Sequence, residues 1–197
     1  MSNEKSTPEG GPCFRLEISG GFLLILSLTG FLCGAEAIAA AMLAAAFHEL
    51  GHLSLILLQG GLPRRLTLDM SGACLHCSGP EPDIRQELFR AMAGPAAGLL
   101  LWLALKGAEA SFLRTAASMS LMLSLVNLLP AAGLDGRRIL DCMTAAAADG
   151  TGLPRLNAVL DIASVLLTLT FGALHSPQLL LYGLWLLLRR LGFRLSN

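Results

Sequence analysis

The sequence predicts an all-α membrane protein of about six transmembrane helices, with a small strand hairpin after the second. Three observations predict it. Of 197 residues, 54% are hydrophobic and only 14% are charged, and the mean hydropathy is +0.63; soluble domains carry more charge. The apolar residues are bunched into runs long enough to cross a bilayer. Positive charge falls almost wholly on one side of those crossings. The formal net charge is zero, which argues against nucleic acid as a partner.

The elements follow in order. Residues 1–14 are polar and rich in Gly, Pro and Glu, and read as a loose tail. The first apolar run is 18–34 and the second 38–58. After it, Arg65-Leu-Thr-Leu-Asp-Met-Ser71 alternates polar and apolar residues, which is strand-like, and Gly72 turns the chain into a second short strand over 73–78. The third run is 88–105 with a polar lead-in from Ile84, and the fourth is 112–129. A polar segment containing a helix covers 133–155, and the last two runs are 158–174 and 179–188. All of it, 1–197, reads as a single membrane domain, with no PDZ-like insert between Gly60 and Asp83 and no C-terminal regulatory domain after the sixth run.

With the N-terminus in the cytoplasm and six crossings, twelve basic residues fall inside and only Lys106 and Arg114 outside. Both termini are then cytoplasmic, in a bacterial inner or cell membrane. Ala35-Glu36-Ala37 mimics a signal-peptidase site, but the run before it is long for a signal and its tail is not strongly basic. The five cysteines, at 13, 33, 74, 77 and 142, are scattered and odd in number, so they are no disulfide framework.

The chemistry is concentrated in His48-Glu49-Leu50-Gly51-His52, an H-E-x-x-H helix. Residues four apart share a helix face, so both imidazoles can aim at one ion. Zinc takes imidazole readily, and Glu49 projects beside them as a general base toward water. Apolar residues flank the motif on both sides, and ionisable groups inside a span are functional by default. His48 lies ten residues before Leu58, or about 15 Å at the helical rise, which places it near mid-depth or in the inner half of the bilayer. Ser54, Thr67 and Asp69 could wet an approach from the cytoplasm.

Two histidines do not complete a catalytic zinc site, which takes three protein ligands and an open position. His76 and His175 are poor candidates, and His175 falls on the outer face. Asp135 is the better one, because Pro130 breaks or kinks the fourth helix shortly before it. Asp141 is the rival, but beside Arg137 and Arg138 it looks like a solvated charge. Cys74-Leu75-His76-Cys77 offers three soft ligands for a second metal, with no fourth in sight. Ala93-Gly94-Pro95-Ala96-Ala97-Gly98 supplies small residues for close helix packing. An exposed strand edge in 62–78 would suit an unwound peptide by strand addition.

At these residues the chain resembles the site-2 protease family of intramembrane zinc metalloproteases. His48-Glu49-Leu50-Gly51-His52 is similar to the family's H-E-x-x-H. Asn127-x-x-Pro130-x-x-x-Leu134-Asp135-Gly136 is similar to its N-x-x-P-x-P-x-L-D-G segment, and Ala93-Gly94-Pro95 to its small-residue motif. Size and layout most resemble the compact sporulation-type branch, whose members act on a membrane-associated precursor of a sigma factor. The resemblance implies one zinc ion per chain held by His48, His52 and Asp135. It also implies Glu49 as catalytic base, Asn127 as a hydrogen-bond partner of the substrate backbone, and a membrane-associated protein substrate. Two positions depart from the family pattern: Ala132 stands where a second proline is usual, and Gly98 where Asn is frequent. With no regulatory domain expected, regulation would come from another membrane protein acting in trans or from substrate supply. The competing reading is a catalytically silent membrane scaffold that keeps the fold; the intact Glu49 weighs against it.

Overall fold

The computed structural model describes residues 15–69, 72–131, 133–146 and 153–175, together with 180, 183, 184 and 187. The order is β1 (Arg15–Ile18), α1 (Gly20–Cys33), α2 (Ala35–Leu58), β2 (Leu62–Asp69), β3 (Gly72–Ser78), α3 (Ile84–Leu105), α4 (Ser111–Asn127), α5 (Asp135–Ala146) and α6 (Leu153–His175). The protein is thus mostly helical, with one small sheet. The tail 1–14 and most of the run 179–188 lie outside the described residues.

The sheet is larger than the expected hairpin. β2 and β3 pair antiparallel, as the alternating pattern implies, but β1 adds in parallel on the other side of β2, with Arg15 opposite Arg65 and Ile18 opposite Leu68. Arg15-Leu16-Glu17-Ile18 alternates with period two, a stretch too short to be read as a strand between the polar tail and the apolar run that begins at 18. The order β1-β2-β3 puts β2 in the middle. Of the segment expected to offer a free edge, β2 is paired on both sides, while β3 is a terminal strand, as is β1.

α1 begins after Ser19, whose hydroxyl accepts from the Phe22 amide at 3.2 Å. Its 14 residues span about 21 Å at the helical rise, short of a hydrocarbon core of about 30 Å. Only Gly34, at φ 85°, separates it from α2. Two helices among the described residues, α2 and α3, are long and apolar enough to cross a membrane; Phe22–Cys33 and Ala158–Leu174 are shorter apolar stretches. Asp83 starts α3 with a capping box closed by Gln86.

α2, α3 and α4 pack on one another, and α3 also carries α5. Among the described residues, the most deeply buried positions are small. Ala40, Ala44, Ala91, Ala116 and Ala117 are buried, and the largest fully buried side chains among the described residues are Ser120 and Ser124. Large apolar side chains face out instead: Phe31 is 87% exposed and Leu100 67%. This inside-out pattern fits helices in lipid, where small residues let backbones approach and leucine gains nothing by hiding. A Cβ on Gly51 would fall on the Ala93 carbonyl oxygen, and one on Gly98 on the Ser124 hydroxyl. The H-E-x-x-H motif of α2 and the small-residue motif of α3 are thereby held in direct contact.

The chain does not kink at Pro130 and continue as one helix. α4 stops at Asn127, an irregular stretch follows, and a separate helix begins with Asp135 as its first residue. Gly133 holds φ 89° in this stretch, a conformation that favours glycine. The Leu134 amide donates to Ala131 at 3.1 Å and the Arg137 amide to Leu134 at 3.2 Å. A Cβ on Gly136 would fall on the Leu128 carbonyl oxygen, so the turn folds tightly back on the end of α4.

Candidate metal centre

One turn of α2 separates His48 from His52, and both rings are buried. Their Nε2 atoms lie 3.2 Å apart. Asp135, delivered by the turn after α4 and also buried, places Oδ2 3.1 Å from each of them. The ligand set inferred from sequence thus comes together in space. These groups can hold a metal ion, since one donor atom from each lies within 4.8 Å of the others.

Donor chemistry supports that fit. His52 Nδ1 bonds the Arg90 backbone carbonyl at 2.8 Å. Only an N–H can donate to a carbonyl, so the neutral ring carries its proton on Nδ1 and presents a bare lone pair at Nε2. That lone pair faces a carboxylate oxygen and a second imidazole nitrogen. Three such atoms at this spacing suit a shared cation. Tetrahedral zinc ligands at about 2.0–2.1 Å from the ion stand roughly 3.3 Å from one another, close to the observed triangle. A Cβ on Gly94 of α3 would meet His48 Nε2 at 2.7 Å and fall on His52 Nε2 as well. The bare glycine is what leaves this space open.

No protein-family model and no curated protein matches the chain. Among solved structures, the Site-2 Protease from Methanocaldococcus jannaschii superposes with a TM-score of 0.65 at 23% sequence identity, over 87% of this chain and 86% of that one. The fold is that of a site-2 protease. Within it, H-E-x-x-H lies on α2, the small-residue motif faces it from α3, and the Asp135 turn closes the third side.

The remaining sequence candidates fall into place around this centre. Glu49 is half-buried, within electrostatic reach of His52, His48, Asp135 and Arg138. Asp141 is not at the site: it accepts from Arg137 Nε at 2.9 Å. Asn127 donates through Nδ2 to the Leu123 carbonyl of its own helix at 2.9 Å. Ser54 likewise bonds back to the Gly51 carbonyl at 2.8 Å. His76 and Cys77 are exposed neighbours on β3; successive strand residues point to opposite faces, so the two do not converge on one ion. The side chains of Asp69, Cys74 and His175, and all of Ala132, lie outside the described residues.

Two supports were not foreseen from sequence. Arg90 is buried and donates through Nε to Gln59 Oε1 at 2.5 Å, tying α3 to the end of α2 while its carbonyl orients His52. Arg138 bridges Asp135 and Glu87. Burial alone would lower the Arg138 pKa, but the bond and charge of Glu87, then of Asp135, raise it above its ordinary value. Burial also pushes the nearby Cys142 thiol up, with Glu87 and Asp141 acting in the same sense. The Arg138–Asp135 spacing of three on a helix could have flagged that pair. Glu87 lies 51 positions before Arg138, and no local pattern reports such a contact.

Proposed function

We propose that this protein is an intramembrane zinc metalloendopeptidase of the site-2 protease family, which cleaves a membrane-associated precursor protein. The observation that carries the proposal is the buried triangle of His48, His52 and Asp135, standing in a fold shared with a site-2 protease. His48 and His52 would hold the ion through Nε2 and Asp135 through Oδ2. A bound zinc ion would supply Lewis-acid polarisation of the scissile carbonyl and an activated water at neutral pH.

The rest of the chemistry belongs to the chain. Glu49 takes the proton from the attacking water on its carboxylate and passes it to the departing amine. That Glu49 is half-buried and within electrostatic reach of both imidazoles supports this role. The Asn127 amide hydrogen-bonds the substrate backbone in exchange for its bond to Leu123. The two apolar helices and the lipid-like packing support a bilayer setting. The one-sided distribution of Arg and Lys supports six spans with both termini in the cytoplasm. The layout of the apolar runs and motifs is what favours the compact sporulation-type branch, with a sigma-factor precursor as substrate.

The test is co-expression with a single-span membrane precursor. The wild-type chain is expected to cut it and to purify with one zinc per chain. A preparation that folds but takes up no zinc defeats the proposal.

A further inference from the structure

Asp135 has two carboxylate oxygens, and the fold uses them differently. Oδ2 faces both imidazoles at 3.1 Å. Oδ1 faces Nη1 of Arg138, one turn further along α5, at 3.4 Å. The same guanidinium donates from Nε and Nη2 to Glu87 Oε1 on α3, at 3.0 and 2.7 Å. We propose that Arg138 is a positioning residue for Asp135, that Glu87 anchors it, and that α3 thereby sets the aim of the third metal ligand. This rests on the metalloprotease reading above.

A carboxylate turns about a broad torsion and can offer either oxygen or both. A guanidinium on Oδ1 takes up charge on that side and leaves Oδ2 as the single donor. Arg138 could not do this unassisted, because its long side chain must itself be held. Glu87 holds it with two donor atoms on one oxygen. The carbonyl of Arg90, one turn from Glu87 on the same helix, orients His52 at 2.8 Å. One face of α3 thus supports two of the three ligands, and losing groups of this kind costs about 10–100-fold in metal affinity.

Glu87 and Arg138 also line a cavity of about 380 Å³ with Asp83, Asp141 and Cys142, and the Arg138 side chain is 44% exposed. A neutral replacement there meets open space, and Asp135 keeps both imidazoles on Oδ2, so the fold should survive it.

The experiment uses the full chain purified in detergent. Zinc affinity is measured by competition with a chromophoric chelator, and cobalt is loaded as a spectroscopic probe. Arg138→Gln and Glu87→Gln are each expected to weaken zinc binding about 10–100-fold and to change the visible cobalt bands, with helical circular dichroism unchanged. Arg138→Lys keeps the charge without the fork and should recover part of the loss. Wild-type affinity and wild-type cobalt spectra in both neutral variants would overturn the positioning role while leaving the metalloprotease reading intact. Failure of the wild type to take up zinc removes both. Should Arg138→Gln not fold, Glu87→Gln decides, since it leaves Arg138 and Asp135 in place.

Discussion

Gly94 shows how much of the site depends on a missing side chain. A methyl group there would press on both Nε2 atoms. Gly94→Ala should therefore lower zinc affinity on the order of tenfold or more, the scale seen when orienting groups are disturbed; zinc per chain after dialysis measures it. Glu49→Gln tests a different property. It keeps the shape and removes the proposed base, so cleavage should fall by at least about 10²–10⁴-fold while zinc stays bound. Retained turnover in a zinc-quantified mutant would exclude Glu49 as the base. The departure at Gly98 also acquires a reason. Ser120 donates to the Gly98 carbonyl at 2.8 Å, and the Ser124 hydroxyl fills the space a side chain at 98 would need. Asparagine there would collide with α4, so here the polar groups are carried by the facing helix.

At the scale of elements, the site is a question of which helices touch. Gly51 lets α2 lie against the Ala93 carbonyl of α3. Gly51→Val should force the two apart and cost roughly 1–3 kcal/mol, as overpacking does; a lower unfolding temperature in detergent, together with lost zinc, is the expected result. The sheet behaves otherwise than its pattern implies. Thr67 and Leu68 pair with β1 on one side and β3 on the other, so proline at either removes ladder bonds from the middle strand. Thr67→Pro should raise protease susceptibility across 62–78 whether or not substrate binds by strand addition. A substrate strand would have to dock on the outer edge of β1 or β3. The sequence pattern found β2 and β3 because each alternates over several residues. It missed β1 because four residues are too few to stand out against the apolar run that follows.

For the molecule as a whole, the decisive question is its disposition in the membrane. The basic residues predict a cytoplasmic sheet, which carries Arg15, Arg64 and Arg65 with Cys77 exposed beside them. In a chain whose other cysteines are changed to serine, an impermeant thiol reagent should reach Cys77 from the cytoplasmic side only. Labelling from the opposite side would invert the orientation. Two helices long enough to cross, a small-residue interior and outward-facing leucines support spanning; the 14-residue α1 crosses only if the bilayer thins locally or β1 and α1 share the distance.

The candidate metal ligands of α2 were legible in the sequence alone. His48, Glu49 and His52 are local, their geometry follows from one helical period, and ionisable groups in an apolar run have few other uses. It also marked Asp135, because a proline, a glycine-rich turn and a lone acid stand together after an apolar run. It took the folded chain to show that Asp135 reaches both imidazoles while Asp141 does not, that Gly94 leaves the space for them, and that Arg90 of α3 contacts His52 while Glu87 contacts the Arg138 that faces Asp135. Those contacts join residues tens of positions apart. Close packing of small residues brings them together, and no periodicity within a single segment records which helix will lie against which.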